Sequence, residues 1–440
     1  MVLDQLEHGG VSGLDPTGRR WTTRAGPIGG AVLLARGRKG EGRRLALEAP
    51  GPHWTAPPCP VFNVCGGCQL QEMDLDTQRT AKAALVSRQV GFPSHPPDGA
   101  PLGYGYRNKL ELSFGGWRYV TDQEKASGQT ATPGSFLGFH PPGWFARIVP
   151  VERCALATPT MNAVLAAVWA DLPGPAWDNQ THGGQWRHVL LREGTDGVLV
   201  ALITTSDTPE DAVRAVGDRI AAVAGVTGVI WVVRDLPSEV AQGELRAVLH
   251  GAPELSIRLG GVDLGLPWDA FFQVNTRGAD VLLGRIREAL YGDEAPSGTL
   301  LDLYCGVGAL GLALAPKGGQ VIGVELNPSA IPVARENAAR LGVSGAWHVG
   351  AVEAVLPTLR WEAPARIVVD PPRAGLHPDA ARFLAAQQAD VLVYVACNPA
   401  SLGRDRAVLE AGGWRMTDLW TVDLFPQTRH VEAVGRFTRA

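Results

Sequence analysis

The sequence lacks several features that would assign it to particular classes of protein. It contains no uncharged apolar run of about 18 residues or more, so no membrane span is expected. Its first residues carry neither the basic block nor the apolar block of a secretory signal, and we therefore expect a cytoplasmic protein. The formal net charge is −4, so the chain has no overall excess of basic residues to indicate a nucleic-acid partner.

The length of the chain, 440 residues, predicts two or three domains rather than one hydrophobic core. Residues 1–56 contain short apolar alternations, many glycines and no helical pattern. They fit a small β-barrel of the kind that binds oligonucleotides, or alternatively a mobile basic extension. Residues 57–265 mix strand and helix patterns and are predicted to form a central α+β domain. Residues 266–440 are predicted to form a separate catalytic domain.

Cysteine is scarce and unevenly distributed, with four of the six residues in the first part of the chain. Cys59, Cys65 and Cys68 form a C-x5-C-x2-C set among prolines and glycines, and Cys154 is the remaining candidate ligand before the C-terminal domain. In a reducing compartment, clustered cysteines are more often metal or cluster ligands than disulfides. Four thiolates suit zinc or an iron–sulfur cluster. The uneven spacing favours a [4Fe-4S] cluster.

The last part of the chain alternates between strand and helix patterns, which predicts an α/β, Rossmann-like domain. Leu300–Tyr304 is a predicted strand that leads into a turn containing Gly306 and Gly308, and Val321–Glu325 is the next strand. A glycine-rich turn followed by an acid at the end of the second strand is typical of nucleotide cofactors, whose ribose hydroxyls bind the acid. The turn has the short form G-V-G, which favours S-adenosylmethionine, a cofactor without phosphates.

Two further buried strands are predicted in front of reactive side chains. Ile367–Val369 precedes Asp370, and Val391–Val395 precedes Cys397. In an open α/β sheet, ligands bind at the carboxyl ends of the strands. We therefore expect Asp370, Cys397 and the later acid Glu432 to converge at one edge of one sheet and to form the active site.

Together these motifs resemble the RNA uracil-C5 methyltransferases, and in particular the iron–sulfur branch that acts on 23S ribosomal RNA. The resemblance covers nearly the whole chain. It implies an N-terminal oligonucleotide-binding barrel, a central domain with a [4Fe-4S] cluster, and RNA as partner, with ribosomal RNA favoured and transfer RNA as an alternative. We expect a monomer. The motifs are Cys59-x5-Cys65-x2-Cys68 with Cys154, Tyr106–Lys109, Phe271–Asn275, Asp302–Gly308, Asp370–Gly375, Cys397–Pro399 and Phe425–Glu432.

The resemblance implies a role for each residue of the predicted active site. The thiolate of Cys397 would add to C6 of uracil and make C5 nucleophilic enough to accept a methyl group. Glu432 would then remove the C5 proton as general base. Asp370 would hydrogen-bond the edge of the uracil. The target base must leave its stack to be attacked, which favours a loop or bulge in RNA.

The resemblance also implies a set of contacts to S-adenosylmethionine. Two departures from the family pattern are Ala309, where the cofactor turn usually has Asn, and Ala396, where Ser is common. We expect the first to remove one side-chain contact to the cofactor. The implied cofactor-binding residues are Gln273, Tyr304, Gly306, Gly308, Glu325 and Asp370.

Other classes of function also fit parts of the sequence. Asp370-Pro371-Pro372 resembles the signature of amino-group methyltransferases, although these enzymes need no nucleophilic cysteine. A redox or radical enzyme could be built on the cluster, but the C-x3-C-x2-C spacing of the radical S-adenosylmethionine family is absent. A non-catalytic RNA-binding iron–sulfur protein would not require Cys397, Glu432 and the glycine turn together.

Overall fold

The computed structural model describes residues 1–37, 39–237 and 240–439, and within these ranges the chain forms four β-sheets. The first sheet has the strand order β3-β2-β1-β4-β5, with antiparallel neighbours. The backbone N–H of Thr22 donates to the carbonyl of Gly40 at 2.9 Å, which draws the two edge strands together. Its strands are β1 (Val2–Glu7), β2 (Gly10–Leu14), β3 (Arg20–Thr23), β4 (Ala31–Arg36) and β5 (Gly42–Ala49).

The second sheet has seven strands in the order β13-β12-β11-β10-β7-β8-β9. Within it, β10 and β11 are antiparallel neighbours and form a hairpin. Helix α4 begins directly after Pro209 and ends at Ala221. The elements of this part are α1 (Leu75–Val90), β6 (Asp98–Gly99), β7 (Lys109–Trp117), α2 (Asp122–Ala126), β8 (Pro133–Phe139), β9 (Val149–Pro150), α3 (Pro159–Trp169), β10 (Trp186–Glu193), β11 (Val198–Thr204), α4 (Glu210–Ala221), β12 (Val226–Val233) and β13 (Glu244–Gly251).

A two-stranded hairpin and a long helix lead into the C-terminal part. The hairpin strands are antiparallel, and the side chain of Asn275 caps the helix by accepting from the N–H of Gly278 at 3.0 Å. Throughout the parts of the chain that the structure describes, every helix is too short or too polar to cross a bilayer. The elements are β14 (Glu254–Leu259), β15 (Val262–Pro267) and α5 (Thr276–Tyr291).

The largest sheet has eight strands in the order β18-β17-β16-β19-β20-β22-β21-β6. The five strands from β18 to β20 are parallel, whereas β22 runs antiparallel to both β20 and β21. The alternation predicted for this part is therefore confirmed. Its elements are β16 (Thr299–Leu303), α6 (Ala309–Ala313), β17 (Gln320–Glu325), α7 (Ala330–Leu341), β18 (Gly345–Val349), α8 (Val352–Val355), a 3₁₀ turn (Leu356–Thr358), β19 (Ala365–Val369), α9 (Pro378–Ala386), β20 (Val391–Ala396), α10 (Pro399–Ala411), β21 (Trp414–Asp423) and β22 (Glu432–Arg439).

Both faces of this sheet are covered, which explains the continuous apolar sequences of its parallel strands. One face packs against α5 and α7, through residues such as Leu282 and Ile331. The opposite face packs against α9 and α10, through residues such as Leu384 and Leu402. Buried on both sides, β19 and β20 have only their carboxyl ends available to a ligand.

Two elements from the N-terminal half also pack on the C-terminal sheet. The short strand β6 pairs in parallel with the end of β21, and Asp98 in β6 binds Arg285 of α5. Helix α1 lies against α10, and its residues Val86 and Val90 belong to the core beneath α9 and α10. The division into domains at residues 56 and 265 stays a prediction.

A buried ion pair fastens α1 to the C-terminal sheet. The Nζ atom of Lys82 donates to Oδ1 of Asp423 at 2.5 Å and to the carbonyl of Phe425 at 3.1 Å. Both charged side chains are fully buried. Removal of one partner from such a pair is strongly destabilising, because the remaining charge has no counterion and no water.

We expect Lys82→Met to lower the free energy of unfolding by about 3–5 kcal/mol because it leaves the Asp423 carboxylate buried and unpaired. Urea denaturation followed by circular dichroism measures this loss. Lys317→Met is the matched control, because Lys317 is exposed and its loss should change stability by less than about 0.5 kcal/mol. The double variant Lys82→Met/Asp423→Leu should recover part of the loss, and equal unfolding midpoints for Lys82→Met and wild type would contradict the prediction.

Candidate active site

Asp370, Cys397 and Glu432 lie at the ends of three neighbouring strands. Asp370 directly follows β19, Cys397 directly follows β20, and Glu432 begins β22. Ala396 is paired with Ala433 in the antiparallel ladder of β20 and β22, so Glu432 lies beside the carboxyl end of β20. The structure thus brings the two acids and the thiol together at one sheet edge.

The thiol of Cys397 is half-buried at the start of α10, where Asn398 is the cap and Pro399 the first residue. A helix N-terminus normally favours a thiolate. Here burial raises the pKa of Cys397 to about 11, and the carboxylates of Glu432 and Asp370 add to this rise, while Arg373 opposes it. This shift favours the thiol form of Cys397 at neutral pH.

The two acids are also shifted towards their protonated forms. Burial raises the pKa of Asp370 to about 7. Burial and the neighbouring Asp370 raise the pKa of Glu432 well above its usual value, and its Oε2 atom is buried without a hydrogen-bond partner. An acid with a raised pKa is a stronger base once it is ionised, which suits a group that must accept a proton near neutral pH.

The loop between β21 and β22, residues 424–431, is held by many hydrogen bonds. The backbone N–H and the hydroxyl of Thr428 both donate to the carbonyl of Phe425, at 3.1 and 2.9 Å. Gln427 has a φ of 69°, and its amide and backbone pair with the side chain of Gln78 in α1 at 3.0 and 2.9 Å. The hydroxyl of Tyr106 donates to the carbonyl of Pro426 at 2.8 Å. Glu432 is therefore presented by a fixed loop.

The glycine turn after β16 also has a defined geometry. Tyr304 has a φ of 67°, which is costly for a residue other than glycine and is typical of functional sites. The N–H of Gly306 donates to Oε2 of Glu325 at 3.0 Å, and the N–H of Asn327 donates to Oε1 at 2.8 Å. A Cβ atom at Gly308 would lie 2.9 Å from Trp347, so this position requires glycine. The turn thus orients the Glu325 carboxylate.

Gln273 lies in the loop before α5, and its backbone is fixed from the second sheet. The side chain of Asn108 donates to the carbonyl of Gln273 at 2.9 Å, and the N–H of Asn108 donates to the carbonyl of Val274 at 2.8 Å. Val274 lines the cavity that contains Cys397. The Gln273 side chain itself is not part of that lining.

The four N-terminal cysteines converge on the same cavity, which has a volume of about 570 Å³ and also contains Cys397. All four cysteines are half-buried, and none of them forms a disulfide. Burial raises the pKa of Cys65 to about 11 and that of Cys68 to about 12, and the other thiols of the set contribute to both shifts. Across residues 1–37, 39–237 and 240–439, no three or more Cys, His, Asp or Glu side chains are arranged as a metal site.

The segment that follows the cysteines is hydrogen-bonded to the loop that carries Glu432. The N–H groups of Gln69 and Leu70 both donate to the carbonyl of Gln427 at 3.0 Å. The side chain of Gln69 in turn accepts from the N–H of Arg429 at 3.3 Å. The cysteine segment and the loop that carries Glu432 are therefore in direct contact.

Sequence reasoning missed the residues of α1 that support this loop. Gln78 and Lys82 are fully buried, yet each is a common residue of an exposed helix face, and no motif marks them. Asp302 is a further buried acid near the cofactor turn. It accepts from the N–H of Gly311 at 2.8 Å, and burial raises its pKa to about 7. The sequence signal that could have identified Asp302 was the presence of an acid inside an otherwise apolar strand.

Two family descriptions match parts of the chain. Residues 359–439 match the sequence model of the tRNA (uracil-5-)-methyltransferase family, and residues 295–382 match that of a methyltransferase domain. The first match contains the strand ends that carry Asp370, Cys397 and Glu432. The second contains the glycine turn.

Relatives of similar length are named uncharacterized RNA methyltransferases. The one from Chlorobaculum tepidum is 35% identical over 433 residues, which cover 94% of this chain and 89% of the relative. The one from Caldanaerobacter subterraneus subsp. tengcongensis is 31% identical over 423 residues, covering 92% of this chain and 90% of the relative. Among solved structures, the tRNA (uracil-54, C5)-methyltransferase of Pyrococcus abyssi, in complex with S-adenosyl-L-homocysteine, has a TM-score of 0.76 and 24% identity, with complete coverage of both chains.

The fold and the matched domain define an α/β methyltransferase. The chain belongs to the RNA uracil-5-methyltransferase family, and it is an RNA (uracil-5-)-methyltransferase. This confirms the predicted enzyme class over the amino-group, redox and non-catalytic alternatives.

We expect Glu432→Gln to increase the reactivity of Cys397 in alkaline solution, because it removes a carboxylate that raises the pKa of this thiol. At about pH 9 the thiolate fraction, and with it the rate of iodoacetamide labelling, should rise by up to about tenfold. Mass spectrometry of the Cys397 peptide measures the rate. The exposed acid Glu362 supplies the control Glu362→Gln, and slower labelling in Glu432→Gln than in this control would refute the electrostatic account.

Proposed function

We propose that this enzyme methylates C5 of a uridine in 23S ribosomal RNA through a covalent adduct between Cys397 and C6 of the base. The observation that carries the proposal is the convergence of Cys397, Asp370 and Glu432 at adjacent strand ends, beside the glycine turn. Ribosomal RNA is favoured by the four-cysteine set, which resembles that of the ribosomal branch. Transfer RNA is the alternative, because the matched family model is that of tRNA (uracil-5-)-methyltransferases.

The reaction needs a nucleophile, a methyl donor and a base. Cys397 releases its proton to solvent, and the thiolate forms a bond to C6 of uracil, which moves an electron pair towards C5 and O4. C5 then binds the electrophilic methyl group of S-adenosylmethionine as the bond between that methyl and the sulfonium sulfur breaks, which leaves S-adenosylhomocysteine. Glu432 removes the C5 proton, and the electron pair of that C–H bond restores the double bond and expels the thiolate. The nucleophile and the base both lie at this sheet edge.

Asp370 has the properties needed to orient the uracil. With a pKa raised to about 7, it exists in both protonation states near neutral pH. The acid form can donate to O4, where negative charge develops after the attack of Cys397, and the ionised form can accept from N3–H. Either hydrogen bond distinguishes uracil from cytosine.

For S-adenosylmethionine we propose a site at the turn between β16 and α6, beside β17. Glu325 already accepts one hydrogen bond on each oxygen, which fixes its carboxylate for the two ribose hydroxyls. Tyr304 and the N–H groups near Gly306 and Gly308 would border the cofactor, while Gln273 and Asp370 would hold its reactive end. This assignment follows the family resemblance residue by residue.

The central experiment incubates the purified protein with labelled S-adenosylmethionine and RNA from cells that lack its gene. Wild type should yield labelled 5-methyluridine in 23S ribosomal RNA, and Cys397→Ala should reduce the rate by roughly a thousandfold or more, because no adduct can form. Nuclease digestion locates the site. Label in transfer RNA alone would change the substrate, and label on another base, or equal rates for both proteins, would overturn the mechanism.

A second variant separates the formation of the methylated adduct from its release. Glu432→Gln should form the methylated adduct and fail to release it, so that a covalent protein–RNA complex accumulates on a denaturing gel. Glu362→Gln should turn over normally. Free product from Glu432→Gln at the wild-type rate would assign the proton transfer to another group.

We also propose that Cys59, Cys65, Cys68 and Cys154 hold a [4Fe-4S] cluster. Their donor set fits one, since four thiolates are the usual ligands of such clusters. Arg24 provides a further indication. Its Nη2 donates to the carbonyl of Cys65 at 3.0 Å, whereas its Nη1 is buried without a partner and the side chain acts electrostatically on Cys65 and Cys68. A negatively charged cluster would satisfy this guanidinium.

The role we propose for the cluster is structural. It would fix the cysteine loop, and through Gln69 and Leu70 it would fix the carbonyl of Gln427 in the active-site loop. The cluster supplies no electrons to the reaction, because the transfer of a methyl group to uracil involves no net oxidation.

Iron and sulfide analysis tests the cluster. Anaerobically purified wild type should contain about four irons and four sulfides per chain, and Cys68→Ser should lose most of both, since one ligand is missing. Cys305→Ser is the control, because Cys305 is buried beneath the cofactor turn and outside the cavity. Stoichiometric zinc in place of iron, or full iron content in Cys68→Ser, would refute the proposal.

The first sheet is proposed to contact the RNA. Its five antiparallel strands, with edges drawn together at Thr22 and Gly40, are compatible with an oligonucleotide-binding barrel. Arg429 of the active-site loop donates to the carbonyl of Gly9 between β1 and β2 at 2.8 Å, so this sheet lies directly beside the proposed catalytic residues.

A further inference from the structure

Two arginines from different loops reach the rim of the active site. Arg373 follows β19 and lines the cavity of Cys397, and the Asn398 side chain fixes it by donating to its carbonyl at 3.0 Å. Arg429 precedes β22, and its Nη1 donates to the carbonyl of Gly9 at 2.8 Å. The loop after β19, the loop before β22 and the turn between β1 and β2 therefore meet at this rim.

These two positive charges have no anionic partner in the described parts of the chain. The ion pairs there join other basic side chains to carboxylates, and none includes Arg373 or Arg429. The acids at the adjacent strand ends, Asp370 and Glu432, have raised pKa values and carry reduced negative charge near neutral pH. Like charges held close together without counterions cost free energy, so the rim is complementary to an anion.

The titration of neighbouring groups reports the same positive field. Burial and then Arg373 lower the pKa of Arg429. Burial, followed by Arg373 and Arg429, lowers the pKa of His8 in the turn between β1 and β2. The same causes, with smaller contributions from Lys82 and Arg107, lower the pKa of His430 to about 4. Four side chains from three segments thus share one positive environment.

We propose that Arg373 and Arg429, together with the turn at His8 and Gly9, bind a backbone phosphate of the RNA next to the extruded uridine. The inference rests on the proposed function for the identity of the anion as RNA. Guanidinium groups match phosphate oxygens with paired hydrogen bonds, which a lone ammonium group cannot do. A phosphate contact carries no sequence information and fixes register. This site would hold the strand so that only one nucleotide can enter the pocket of Cys397.

The proposed phosphate site lies where distant parts of the chain meet. Arg429 donates one side-chain N–H to the carbonyl of Gly9, and its other guanidinium N–H groups can donate to a ligand. Because that carbonyl belongs to the first sheet, a phosphate bound at the rim would contact the N-terminal and C-terminal parts together. RNA binding would thereby tighten the junction between them.

The salt dependence of RNA binding tests this site. The probe is a fluorescein-labelled oligouridylate of about twelve nucleotides, within the usual range of single-strand sites. Binding is measured by anisotropy in the Cys397→Ala background, without S-adenosylmethionine, at several salt concentrations. Removing one arginine that contacts phosphate should reduce the slope of log K against log salt by about 0.7. We expect this reduction, with weaker binding at low salt, for both Arg373→Gln and Arg429→Gln.

The matched control is Arg246→Gln. Arg246 is exposed on β13, the edge strand at the opposite side of the second sheet from β8 and β9, and its loss should leave the slope unchanged. Arg373→Lys and Arg429→Lys should retain the slope and lose affinity, which guards against a folding defect in the glutamine variants. Unchanged slopes in both glutamine variants, or an equal reduction in Arg246→Gln, would overturn the proposal. This assay measures RNA binding and involves no methyl transfer. The proposed function is tested by the formation of 5-methyluridine in the methylation experiment, so the two proposals can fail independently.

Discussion

The buried ion pair between Lys82 and Asp423 is the constraint on which the active site depends. Asp423 ends β21 and Glu432 begins β22, so the pair fixes one stem of the loop that presents the proposed base. Charges as deeply buried as these are tolerated only when they are paired and further hydrogen-bonded, as Lys82 is with the carbonyl of Phe425. The pair therefore specifies one position of the loop, and Gln78 supports the same position through Gln427.

This arrangement connects the N-terminal half to the proposed active site. The C-terminal sheet alone supplies Asp370, Cys397 and Glu432, but the carbonyls of Pro426 and Gln427 accept from Tyr106, Gln69 and Leu70. These donors fix the backbone of the loop, while Leu424 and Val431 anchor its two ends in the apolar core. The glycine turn and the strand ends thus belong to the C-terminal sheet, whereas the loop is hydrogen-bonded to segments that precede it in the chain.

Features specified by local sequence patterns were predictable, whereas features that depend on contacts between distant parts of the chain were not. The parallel strands β19 and β20 and the cofactor turn were predictable because local apolar patterns and turn residues specify them. The convergence of Asp370 and Cys397 followed from the topology of a parallel sheet, whereas Glu432 joins them because it begins a strand that runs antiparallel to β20. Lys82 and the strand β6 were not predictable, since their partners lie more than 300 positions away and nothing in their own neighbourhoods distinguishes them from surface residues.

The separation of Lys82 from Asp423, 341 positions along the chain, has a consequence for biosynthesis. At the usual rate of translation, α1 leaves the ribosome on the order of tens of seconds before β21 exists. During that interval Lys82 remains hydrated and has no counterion, and α1 has no apolar contacts with α10. The active site is consequently among the last parts of the molecule to form, because a nascent chain that ends before β21 lacks the counterion of Lys82, and one that ends before β22 lacks Glu432.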